Sequence, residues 1–254
     1  MSEITVSVHQ PNFMPWLKLL DKILASDVYI AYDTVQYTKS EYHGRQKVKL
    51  HSGPRWLSVP LLRGQGQSGL IRDVRIDNGK PFRRKHLLTL EQNYGRTSHF
   101  DEVYPLVEKV YRRAHEHLVD LNLDLIEEFC RYLRSPVRIV RASALEHRGD
   151  NTERLIHLVR SVGGDVHLTS TFGTDRRYID WDRLRDAGIG VRAQMFEHPV
   201  YAQPSGEFAP HLAAVDMLFC CGRRTAEILA ARRRFVDVGE PVRITPSTSL
   251  RTRV

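Results

Sequence analysis

The stretch from Ile4 to Tyr32 constrains the fold of this chain more than any other. Ile4–Val8 alternates in the manner of a half-buried strand and stops at His9-Gln10-Pro11. Pro15-Trp16 then opens a helix, and Leu17, Leu20, Ile23 and Leu24 give it an apolar stripe at helical spacing. Asp27–Tyr32 is a second apolar strand. Strand, loop, helix, strand is a βαβ unit, which implies a parallel pair. Ligands on such sheets sit at the carboxyl ends of the strands, where His9-Gln10 and Asp33 fall.

Further strands are expected at Trp56–Leu62 and Leu70–Ile76, flanking a glycine-rich loop, and at Val137–Val140, Val166–Thr169 and Ile189–Phe196. Helices are expected from Pro81 to Tyr94, within Asp101–Leu133, and at Thr152–Val162, Trp181–Ala187 and Pro210–Cys221. The alternation predicts an α/β, Rossmann-like fold: a mainly parallel sheet flanked by helices, with a basic β-rich insertion near 38–80. No linker divides the chain, so residues 1–222 read as one domain and 223–254 as a basic, flexible tail. That tail carries eight arginines against three acids, which is +5 of the net +8. With 41% hydrophobic residues, the 254-residue chain can bury a sizeable core. The absence of a basic-then-apolar leader and of a long apolar run points to a cytoplasmic protein with no membrane partner. Cys130, Cys220 and Cys221 supply neither a disulfide framework nor a metal-binding spacing.

The strings HQPNFMPW (9–16), YDTVQYTKSEYHGRQKVK (32–49), WLSVPL (56–61), QNY (92–94), LNLDLIE (121–127), YID (178–180) and HPVYAQPSGEFAPHLAAVDMLF (198–219) together resemble the WbqC-like protein family. The resemblance runs from about residue 5 to 222. It implies a bacterial protein working in surface-polysaccharide or specialised-metabolite biosynthesis, and a transferase role that includes transfer of an aminoacyl group from charged tRNA. Many relatives carry two adjacent acids where this chain has Asp33-Thr34, which argues against a paired-carboxylate metal site.

The candidate site residues follow from their placement. His9 suits a general base, since it titrates near neutrality on a proline-stiffened loop, with Gln10, Asn12 and Trp16 beside it. Asp33, also a catalytic candidate, would orient His9, bind a ribose hydroxyl or take a proton, or else form a turn, and Gln36 would orient substrate. Lys39, Arg45, Lys47, Lys49 and Arg55 mix with Tyr37, Tyr42, His43 and His51, a composition suited to phosphates plus a stacked ring. Arg45, Lys39 and Lys49 are the anion binders of choice. Asn93 and Tyr94 end a helix that faces the site. His198, Tyr201 and Gln203 lie on a second proline-stiffened loop and would form its other wall, His198 with a catalytic part. Asp216 sits in an almost wholly apolar helix and needs a buried partner, with Arg or His as the natural choice.

Gly64–Gly69 spells G-x-G-x-x-G but precedes a strand, so it reads as a hairpin loop and not as a dinucleotide fingerprint. His115-Glu116-His117 reads as a solvated helical stretch. The chain is therefore expected to act without metal or cofactor. It would transfer an activated group, from a nucleotide or a tRNA, to an amine or hydroxyl of a small-molecule acceptor. The alternative is a non-catalytic RNA- or partner-binding component of such a pathway.

Overall fold

A computed structural model describes residues 3–39, 41–62, 64, 69–170 and 178–238. Six strands form one sheet: β1 (Thr5–His9), β2 (Val28–Ala31), β5 (Arg138–Arg141), β6 (Val166–Thr169), β7 (Gly190–Gln194) and β8 (Phe235–Asp237). Their order is β5-β2-β1-β6-β7-β8, parallel throughout except for β8, which pairs antiparallel with β7. The fold is α/β, with a mainly parallel sheet flanked by helices. From β1 the chain builds outward first through β2 and β5, then through β6 and β7. The direction of growth thus reverses between β1 and β6, and such a reversal opens a crevice at the carboxyl ends of the strands.

Strand β2 shows why the sheet is buried on both faces. Val28, Tyr29, Ile30 and Ala31 are all inaccessible. Val28 and Ile30 join a cluster with Leu155, Leu158, Trp181 and Val191, whereas Tyr29 and Ala31 join a larger cluster with Phe13, Leu20, Phe129 and Phe219. Successive side chains of a strand point to opposite faces, so a strand covered on both sides is a continuous apolar run. Each full-size side chain buried in this way contributes about 1.5–3 kcal/mol.

Helix α1 (Leu17–Leu24) packs on one face; α5 (Asn151–Ser161) and α6 (Trp181–Asp186) belong to the cluster on the other. Asp150 and Glu153 close a capping box at the start of α5. Gly164 follows α5, and a methyl group there would come within 2.4 Å of Val6.

Between β2 and β5 runs an insertion. It holds a hairpin, β3 (Arg45–Leu50) with β4 (Gly53–Ser58), and helices α2 (Phe82–Tyr94), α3 (Phe100–Tyr111) and α4 (Leu118–Tyr132). The hairpin partner of Trp56–Ser58 is therefore the basic stretch 45–50, and not 70–76 as the sequence suggested. Ile71–Asp73 is a 3-10 turn, and Leu61 meets Ile76 only through an isolated bridge. The turn lies at His51-Ser52, where Gly53 adopts a φ of 103°. Most of the glycine-rich loop lies outside the described residues.

Two further expectations are corrected. The basic segment after 222 begins with a helix, α8 (Arg224–Arg232), whose Thr225 and Leu229 are buried, and continues into β8, so chain order persists well past residue 222. Residues 239–254 lie outside the described residues. His115-Glu116-His117 is a loop and not a solvated helix: His115 is buried and hydrogen-bonds Asp124 at 2.7 Å, and His117 precedes α4. Among the described residues no helix is long and apolar enough to cross a membrane.

Candidate functional site

His9 is the last residue of β1, the strand beside the reversal point, and is partly buried. Its Nδ1 lies 2.8 Å from the carbonyl of Gln10, so Nδ1 carries the proton and Nε2 keeps its lone pair. Burial first, and then the charge of the buried Lys22, push the imidazole down to about 3, so it is neutral across the physiological range. Tyr29 donates its hydroxyl proton to the carbonyl of His9 at 3.1 Å and fixes the strand end.

The loop that follows is held rigidly. His43 and Gln10 are joined side chain to side chain at 2.8 Å. Phe13 donates its N–H to the carbonyls of Tyr42 and His43, and Asn122 on α4 donates to those of Pro11 and His43. Asn12 is buried in this loop. Met14 adopts a φ of 40°, which a residue bearing a Cβ takes up only where its surroundings impose it. Asn122 was not singled out from the sequence. Its signal was available, as a polar residue among the leucines on the buried face of an amphipathic helix.

The N-terminal loop, the hairpin and the late loop meet at one place. Trp16 and Ala213 form an antiparallel bridge, Ala214 donates its N–H to Pro15 at 2.7 Å, and Ala213 donates to Lys47 at 2.7 Å. His211, two residues before the bridge, has a φ of 60°. Trp16 stands edge-on to His9 on one side, with centroids 5.8 Å apart. It also lines a cavity of about 250 Å³ with Lys18, Phe196, His198 and His211. A neighbouring cavity of about 450 Å³ shares Lys18 and Phe196 and reaches Ser170, just beyond β6, and Arg234. The first histidine and the late His-Pro-Val-Tyr run thus flank the same tryptophan at the carboxyl edge of the sheet. Both nitrogens of His198 are engaged. Its Nδ1 lies 2.9 Å from the carbonyl of Pro199, and its Nε2 accepts the N–H of His211 at 3.2 Å.

A second cluster forms around Asp216. The carboxylate is inaccessible and accepts from Tyr94 Oη at 2.6 Å, Tyr201 Oη at 2.6 Å and Gln203 Nε2 at 3.1 Å. Burial raises its pKa, and these three donors pull the other way. Lys49 donates from Nζ to Gln203 Oε1 at 2.8 Å and to the carbonyl of Glu207, and its N–H reaches Tyr94 Oη at 2.7 Å. The partners of Asp216 are therefore two tyrosines and a glutamine, with Lys49 as the nearby charge, and not the Arg or His the sequence suggested. Phenol hydroxyls satisfy a carboxylate without adding a second ion to a dry site. Asn93 secures the hairpin, accepting the N–H of His51 at 3.0 Å.

The remaining candidates lie farther along the insertion. Asp33 is buried, and its carboxylate accepts the N–H and hydroxyl of Ser143 at 2.9 and 2.7 Å. No hydrogen bond joins Asp33 to His9 among the described residues. Gln36 is exposed and bridges to Leu70. Lys39 and Arg45 line a cavity of about 820 Å³ with Tyr37, Ser58 and Lys80. Burial raises the thiols of Cys220 and Cys221, which keeps both protonated. Among the described residues no group of three or more His, Cys, Asp or Glu is placed to hold a metal ion.

The family model described as "WbqC-like protein family" matches residues 10–228, a span that includes the loop after His9, the hairpin and the late loop. The chain belongs to the WbqC-like protein family. A member of the curated set, "Uncharacterized protein Rv1507c" of Mycobacterium tuberculosis, is 30% identical over 229 residues, covering 88% of this chain and 96% of that protein. The family match takes in the whole of the Asp216 cluster and every candidate residue except His9, which immediately precedes its start.

Proposed function

We propose that this WbqC-like protein is a biosynthetic transferase. It would move an activated group, carried on a nucleotide or as an aminoacyl ester on tRNA, to an amine or hydroxyl of a sugar or another small metabolite. The reading rests on one observation above all: His9, its tautomer fixed by the Gln10 carbonyl, ends the strand beside the sheet's reversal point. In the reaction the acceptor nitrogen or oxygen attacks the activated carbon of the donor and its proton passes to His9 Nε2; the bond to the leaving oxygen breaks, that oxygen keeps the bonding electrons, and it takes the proton back from His9.

The crevice of Trp16, Lys18, His198 and His211 supplies a ring wall and polar groups for one of the two substrates. Lys39 and Arg45 suit the donor phosphates, Arg45 through its two-pronged guanidinium. Asp33, with its oxygens held by Ser143, supports the strand end. Asp216, Tyr94, Tyr201, Gln203 and Lys49 hold the hairpin and the late loop in register.

The test supplies purified protein with bulk tRNA charged with labelled amino acids, or with labelled nucleotide sugars, together with a bacterial small-molecule extract. Label should move to a small product, and His9→Ala should reduce the rate by roughly 100-fold or more. Transfer undiminished in His9→Ala, or none from either donor class, would overturn the reading.

A further inference from the structure

From His9 a row of rings leads outward across the surface. His9 and Trp16 have centroids 5.8 Å apart, Trp16 and Tyr42 4.8 Å, and Tyr42 and Trp56 5.9 Å. The outer rings are open to solvent: Tyr42 is 36% exposed and Trp56 41%. Large aromatic side chains are costly to leave in water, and a contiguous exposed run of them marks a binding surface.

Cations accompany the rings. Arg45 Cζ lies 4.5 Å and Lys47 Nζ 5.0 Å from the centroid of the Trp56 ring. The antiparallel register explains the arrangement: Lys47 pairs directly with Trp56, and Arg45 sits two residues before it on the same face of β3. Lys39 and Lys80 line the cavity that Arg45 shares. Two exposed rings, Tyr42 and Trp56, with positive charge beside them supply the chemistry that holds bases by stacking and phosphates by charge.

We propose that this ring-and-cation row binds the free end of a single-stranded polynucleotide, with bases on Trp56 and Tyr42, phosphates on Arg45, Lys47 and Lys39, and the terminal residue directed past Trp16 towards His9. The proposal rests on the transferase reading and deepens it: the activated group arrives on a strand end and not on a mononucleotide. The length of the row supports a strand. Stacked bases advance roughly 3.4 Å each, and the two steps from Trp16 to Trp56 exceed what one base covers. An unpaired strand is required, since only unstacked bases can lie against side-chain rings.

Fluorescence anisotropy with labelled six-nucleotide strands tests this directly, without any turnover. A single-stranded RNA should bind saturably. The same sequence in a blunt duplex and the matching mononucleotides should bind at least ~10-fold more weakly. A DNA strand of the same sequence tells a ribonucleotide end from a general single strand: weaker DNA binding assigns RNA, and equal binding assigns either strand. Trp56→Ala should weaken the single strand by roughly 5- to 100-fold, and Trp56→Phe should restore most of it. Three phosphate contacts give a slope of log affinity on log salt of about −2. Trp56 is exposed, so the variant folds, which far-ultraviolet circular dichroism checks. Mononucleotides competing as well as the strand, or Trp56→Ala binding unchanged, would overturn the proposal. Strand binding without any label transfer would leave it standing while ending the transferase reading.

Discussion

Acid should unfold this protein unusually early, because four of its histidines are held neutral in dry surroundings. Burial pushes His9 and His167 down to about 3, and His43 and His86 down to about 4. In the unfolded chain each titrates near ~6.5. The folded values lie below the unfolded ones, so the stability tied to these groups is complete above ~6.5 and drains away as pH falls towards the folded values. Between pH 7.5 and 5.5 the unfolded chain gains about one proton per histidine while the folded chain gains none, about 1.4 kcal/mol each. The four histidines together lose about 5.6 kcal/mol, and Asp21 and Asp216, whose carboxyl pKa values are raised by burial, act in the opposite sense. That is a large part of a typical stability of ~5–15 kcal/mol. Urea unfolding followed by circular dichroism at constant ionic strength should show the midpoint falling by about 1 M over this range. His86→Gln, which removes the group bonded to Tyr111 Oη at 3.0 Å, should flatten the dependence by about a quarter whatever it does to stability at pH 7.5. Equal midpoints at both pH values, or an unaltered dependence in the variant, would refute the reasoning.

Two further variants probe the packing around the site. Asp216→Ala strands two buried phenols and leaves Lys49 uncompensated, so it should cost about 3–5 kcal/mol. Tyr201→Phe removes one charge-assisted bond and should cost about 1.5–3 kcal/mol, and a thermal melt showing equal losses would contradict the network. Gly222 has a φ of 57°, and an added Cβ would lie 2.4 Å from the His99 ring. Gly222→Ala should therefore lower stability by about 2–4 kcal/mol, and His99→Ala in the same chain should recover the steric part but not the backbone strain. Chemical denaturation of the single and the double variant separates the two terms.

The parts of the fold carried by local pattern were legible in the sequence. The β1–α1–β2 unit needs only alternation, a proline-stiffened loop and an apolar stripe, all within 30 residues. Asp216 was visible as a carboxylate in an apolar helix. Its partners were not, because Tyr94 and Tyr201 come from elements that only tertiary packing brings to it. The hairpin was misread for a physical reason. Arg45–Leu50 alternates Arg45, Lys47 and Lys49 with Gln46, Val48 and Leu50, but two of its buried positions, Gln46 and Lys49, are polar, and Lys49 is buried through hydrogen bonds, so the apolar signal is only Val48 and Leu50. The glycine-rich stretch nearby drew the turn to the wrong place. Helix α8 was hidden by its arginines, which obscure the few buried contacts of Thr225 and Leu229.

The closing of Ala213 and Ala214 onto Lys47 and Pro15 has a bearing on how the protein is made. A chain leaving the ribosome can complete β1, α1 and the β3–β4 hairpin early. The carbonyls of Pro15 and Lys47 have no partner until residues 213 and 214 have emerged. Growing chains therefore carry an unfinished cleft through most of their synthesis, and a transcript cut short before codon 213 yields a protein that holds much of its sheet and lacks one wall of its cleft.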